Sequence, residues 1–103
     1  MQPDVVDRAA VAERAVALVP DQPAFRDTLA MLLSEYEDYA KALEWQTKAL
    51  ALQAQNPAFR LNLARIHLRG GKKDLARKEL DAMAKLGDKF PAQAEVATLL
   101  KSL

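Results

Sequence analysis

The chain contains no cysteine, which excludes disulfide staples, thiol nucleophiles and the zinc sites that need thiolate ligands. It has only three glycines and five prolines in 103 residues, too few for a β-sandwich that turns every ~8–12 residues. Aromatic residues make up 6%, so there is little material for stacked-base recognition. No apolar run approaches the ~20 residues of a membrane span. The opening MQPDVVDR places acids where a signal peptide needs positive charge. The expectation is a soluble fragment or domain with no address of its own.

What is present is half hydrophobic, and 20 Ala and 16 Leu supply most of it. Together with Lys and Glu these are strong helix formers, because they lose little rotamer freedom in a helix. One ordinary domain fits this length and two separate cores do not.

Pro23, Pro57 and Pro91 recur at a fixed interval of 34 residues. Pro23-Ala24-Phe25-Arg26 returns as Pro57-Ala58-Phe59-Arg60, Pro91-Ala92 opens a third copy, and Leu29-Ala30, Ala42 and Leu52 return as Leu63-Ala64, Ala76 and Leu86. Each Pro suits the first position of a helix, where its missing N–H costs nothing. Asn56 is a good N-cap for the second copy, whereas Gln22 and Phe90 are poor ones. The apolar spacing predicts helices near 23–34, 39–53, 57–69, 73–86 and 91–102. Gly70-Gly71 splits one pair, and Gly87 stops a helix by supplying left-handed backbone. Residues 3–18 read as a further helix, the second of a preceding unit that lacks its first.

These residues resemble the tetratricopeptide repeat, a helix–turn–helix unit of about 34 residues. Unit two offers Leu63-Ala64, Gly70-Gly71, Ala76, Leu80 and Met83 at the packing places; in unit one, YAKALEWQTKALAL echoes the family's second helix. Arg26 and Arg60 replace the usual early Trp, Glu37 stands where a turn Gly is common, and Gln46 stands where an aromatic is usual. The late Pro is replaced by Ala54 and Asp88 and reappears only as Pro20. The resemblance implies an all-α fold, a tetratricopeptide-type α-solenoid of antiparallel helix pairs. About six helices would stack in a right-handed superhelix. The chain is one domain divided as 1–22 (half of a truncated repeat), 23–56, 57–90 and a C-terminal capping helix over 91–103. Residues 85–101 also resemble the C-terminus of large bacterial repeat proteins of PEP-CTERM/exosortase exopolysaccharide systems, which implies a cell-envelope or periplasmic setting; without that resemblance the chain would be cytoplasmic.

The resemblance implies a non-catalytic protein-interaction scaffold with no cofactor and no metal. Its partner would be a protein or peptide segment lying in a concave groove. The groove residues by the family's register are Asp27, Met31, Ser34, Glu35, Leu61, Asn62, Arg65, Leu68 and Arg69. Some members clamp the C-terminal carboxylates of chaperone tails. Here Asp27 and Met31 stand where the first Lys and Asn are needed and only Asn62 matches, which argues against such a clamp. The uncovered edge of the N-terminal helix is expected to be an association surface for a homodimer.

Charge is divided unevenly: residues 1–59 hold five Lys/Arg against nine Asp/Glu, and residues 60–89 hold nine against four. The alternative reading is a nucleic-acid binder using Arg60, Arg65, Arg69, Lys72, Lys73, Arg77 and Lys78. A net charge of +1 and the lack of interleaved aromatics argue against it. His67 has no nucleophile or orienting acid placed by any pattern, and reads as a partly buried packing residue. Trp45 reads as packing against the next unit. Glu35, Glu37 and Asp38 lack the spacing of a calcium loop, and Gly70-Gly71-Lys72-Lys73 lacks the strand and motif of a phosphate loop.

Overall fold

A computed structural model describes residues 22–103. The expected helix at 3–18, with its dimerisation edge, lies outside the described residues. Five α-helices follow one another: α1 (Pro23–Glu35), α2 (Tyr39–Leu52), α3 (Pro57–Arg69), α4 (Lys73–Lys85) and α5 (Gln93–Lys101). A single 3₁₀ turn over Gly87–Lys89 lies between α4 and α5, and no strand occurs among the described residues. Each helix packs on the next, and α1 also packs on α3. This places α1 and α3 side by side as one layer with α2 and α4 behind them.

Local chemistry explains the ends. Pro23 and Pro57 open α1 and α3 in the first turn, as their fixed φ favours. Asn56 caps α3 by accepting from the Phe59 amide at 3.2 Å, and Asp38 caps α2 by accepting from the Lys41 amide at 3.3 Å. Gln22 gives α1 no side-chain cap.

The turn within each hairpin is repeated bond for bond. The Asp38 amide donates to the Leu33 carbonyl at 2.9 Å, and 34 residues on the Lys72 amide donates to the His67 carbonyl at 2.8 Å. Likewise Glu37 donates to Ser34, and Gly71 to Leu68, both at 3.1 Å. At Gly70 a side chain would crowd the neighbouring unit, since a Cβ there would lie 3.3 Å from Cγ of Tyr39.

One core gathers Leu29, Ala30, Leu33, Ala42 and Ile66, with Trp45 packed against it. A second joins Leu61, Ala64, Leu80, Met83, Phe90 and Val96. Ile66 of α3 belongs to the first and Leu61 to the second, so α3 ties the two hairpins together. The alanines at the helix crossings (Ala30, Ala42, Ala49, Ala64 and Ala76) are wholly buried, and their small side chains let the helices approach closely.

The last helix starts two residues later than the 34-residue spacing of prolines predicts. Pro91 lies in a turn, and α5 begins at Gln93 instead. The Gln93 side-chain amide donates to the Met83 carbonyl at 2.8 Å and to the Gly87 carbonyl at 3.0 Å. It thereby adds a second donor to carbonyls that already accept from the Leu86 and Phe90 amides and ties the start of α5 to the end of α4, while buried Phe90 anchors the connection.

Candidate functional site

The layer formed by α1 and α3 carries most of the groove residues predicted from the register. Asp27, on α1, accepts from the Nε2 of Gln46 at 2.8 Å and from the Nδ2 of Asn62 at 3.0 Å and 3.2 Å. The Oδ1 of Asn62 accepts in turn from Arg65 at 3.0 Å, and Arg65 reaches Glu95 of α5 at 3.3 Å. A turn further along, Arg69 donates to the hydroxyl of Ser34 at 2.7 Å, and that hydroxyl donates to the Met31 carbonyl at 2.8 Å. Side chains of successive units are thus bonded across the wall from α1 through α3 to α5.

These bonds fix side chains that would otherwise be long and mobile. They also use up part of the wall's polar capacity. Ser34, expected to face the groove, is only 2% exposed; its hydroxyl serves Arg69 and the backbone and is closed to a ligand. Among the described residues, no Lys or Arg stands within ion-pair distance of Asp27 or Glu35. Met31 and Leu68 are half-buried, and Glu35 and Arg69 are exposed.

Leu61 is a correction to the predicted wall. It occupies the register place of Asp27 but is 2% exposed and belongs to the second core. Leu61 shares its cluster with Leu80 where the preceding unit pairs Asp27 with Gln46, so this place is filled by apolar surface removed from water.

Gln46 explains why an aromatic is dispensable at its position. It is wholly buried, and its amide bridges the Asp27 carboxylate to the Phe59 carbonyl, both at 2.8 Å. Its Oε1 has no hydrogen-bond partner. The matching place in unit two, 34 residues on, is the buried Leu80.

The register also marks two wall residues that sequence reasoning assigned to a cap. Counting 34 from Leu61 and Arg65 reaches Glu95 and Leu99. Both line a notch of about 210 Å³ with Arg65, Ala94 and Thr98. Treating the last helix as a solvating end obscured this.

The remaining candidates are dispersed. Trp45 packs on the first core, with the Lys48 ammonium 4.5 Å from its ring centre. Arg60 lies 5.6 Å from the centre of the Phe90 ring. Arg77 and Lys78 share their stretch of α4 with Asp74 and Asp81, while Arg65 and Arg69 lie on the α3 wall; the basic residues do not form a single stripe. His67 is half-buried with an unpartnered Nδ1. Burial holds its pKa below the ordinary value, and the nearby Glu79 carboxylate opposes this. Among the described residues, no three His, Asp or Glu side chains cluster as metal ligands would, and no helix is long and apolar enough to cross a membrane.

Comparison with known families agrees with the geometry. The sequence model of the tetratricopeptide repeat matches residues 33–103. This identifies the repeat in general, not the envelope system that residues 85–101 resemble. No curated protein and no solved structure matches the chain.

Proposed function

The chain belongs to the tetratricopeptide repeat family, and from that premise we propose that it is a non-catalytic scaffold whose α1/α3 wall binds an extended segment of a partner protein. Repeats of this family mediate protein–protein interactions. The observation that carries the reading is the row of inter-unit hydrogen bonds, Asp27–Asn62, Ser34–Arg69 and Arg65–Glu95. They hold polar groups in place along one face, so a ligand meets an ordered surface and ordering costs on binding are reduced. Half-buried Met31 and Leu68 supply apolar surface between these groups.

The test is selection of a displayed peptide library on the immobilised chain, followed by affinity measurement on the chain and on a Met31→Glu/Arg69→Glu variant. Recovered peptides should lose at least about tenfold on the variant, as central contacts dominate such interfaces. Peptides that bind both proteins equally, or failure to recover any, would overturn the reading.

A further inference from the structure

Resting on that reading, we infer that the partner segment carries a cation, then an anion, then an aliphatic side chain, at intervals of about three residues, as it crosses from α1 to α5. The stations are Glu35, Arg69 and the notch beside Arg65. Glu35 is exposed and has no cationic partner among the described residues. Arg69 is exposed and bonds only a neutral hydroxyl, that of Ser34, so its charge is uncancelled. By contrast, Arg65 and Glu95 cancel each other at 3.3 Å. At the wall positions the uncancelled charges therefore read negative on α1 and positive on α3, with no net charge at the third station.

The notch exists because α5 is seated on α4 and starts at Gln93, leaving a gap beside α3. Its volume of about 210 Å³ falls below the ~300 Å³ at which small-molecule sites begin. A single side chain fits it better than a metabolite does. Ala94, the Thr98 methyl and Leu99 present apolar surface there, and two of the five guanidinium N–H donors of Arg65 are taken by Asn62 and Glu95. The others can serve a peptide carbonyl.

The interval follows from geometry. Glu35 and Arg69 hold equivalent places on neighbouring helices, whose axes pack ~8–10 Å apart. The notch lies across towards α5 and one ~5.4 Å turn back along α3, at Arg65, a comparable distance. An extended chain advances ~3.3 Å per residue, so about three residues separate adjacent stations. Because exposed ion pairs contribute little individually, the order of charges sets selectivity and the aliphatic residue provides the anchor.

The experiment titrates isotope-labelled protein, followed by amide NMR, with the peptide Lys-Gly-Ser-Glu-Gly-Ser-Leu and with the same sequence reversed. Two controls exchange the Lys and Glu, or replace Leu by Ser. Binding of either chain direction should shift amides at Glu35, Arg69, Ala94 and Leu99, and each control should weaken it by about tenfold. Ala94→Leu, which fills the notch from an exposed position, should weaken it similarly while the circular dichroism spectrum is unchanged. Equal binding of the charge-exchanged peptide, or no effect of Ala94→Leu, would overturn the inference. If these peptides fail while library peptides still bind and are lost on the Met31→Glu/Arg69→Glu variant, only this inference falls. If both fail, the scaffold reading falls with it.

Discussion

Glu37 and Gly71 stand at the same place in successive hairpins, and both take left-handed backbone, with φ of +65° and +78°. Glycine adopts this conformation freely, whereas a side chain there costs roughly 1–2 kcal/mol. The first hairpin accepts the strain because the bonds around it, from Glu37 to Ser34 and from Asp38 to Leu33, leave the chain no other path. Glu37→Gly should therefore stabilise the fold by about 0.5–1 kcal/mol, the relief of strain being partly offset by glycine's larger unfolded entropy. Gly71→Glu should destabilise it by a similar amount. Urea denaturation of the two variants checks both signs, and a neutral Glu37→Gly would mean that the turn carries no strain.

The bridge from Gln46 to Asp27 sets a second expectation. Removing the carboxylate with Asp27→Ala also releases the Asn62 amide, which is half-buried and can turn to water. It leaves the wholly buried Gln46 amide with one unpaired hydrogen, at a cost of about 1–3 kcal/mol. Replacing the amide as well, in Asp27→Ala/Gln46→Leu, removes the stranded donor and the already unpartnered Oε1. The double variant should recover most of the loss, as buried Leu80 already does at the matching place. Denaturant midpoints of the two single variants and the double would show this as strong non-additivity. Additive losses would mean the two side chains act independently.

The hairpins were legible in the sequence because rare residues marked them. Pro23 and Pro57 start helices where the spacing places them, and Gly71 and Gly87 take the positive φ that their positions imply. Pro91 misled by two residues, since its helix starts at Gln93, whose side chain is bonded back to the Met83 and Gly87 carbonyls. The wall was only partly legible. Register alone places Leu61 beside Asp27 in kind, but register carries no information on burial, and the apolar side chain there is buried. The bonds joining Asp27 to Gln46 and Asn62 depend on side-chain reach between units, which no local pattern encodes. Glu95 and Leu99 were within reach of the same counting and were obscured by reading α5 as a cap.

The second core predicts how far damage spreads. Leu80 and Met83 are wholly buried on α4 and share their cluster with Leu61 of α3, with Phe90 of the connection and with Val96 of α5. Leu80→Ala should cost about 2–5 kcal/mol, the range for truncating a buried Leu. Because repeat stacks are held by nearest-neighbour terms, the loss should fall on α4 and α5 before α1 and α2. Native-state hydrogen exchange on the variant should show protection falling first over 73–101. A uniform fall across both hairpins would show that the stack unfolds as a single unit.

His67 gives the pH dependence its sign. Burial disfavours the imidazolium, so the folded-state pKa lies below the ordinary 6.5, with Glu79 pulling partly the other way. Between the folded value and 6.5 the unfolded chain binds more protons than the folded one, so stability rises with pH there. The contribution of a neutral, buried His67 is complete above 6.5 and is lost as pH falls through the folded value. Denaturation midpoints measured across this window should fall on acidification in the unaltered chain and change less in His67→Gln. Glu79→Gln removes the opposing carboxylate, lowers the His67 pKa further, and should widen the window towards acid. An unaltered slope in His67→Gln would assign the dependence to the carboxylates instead.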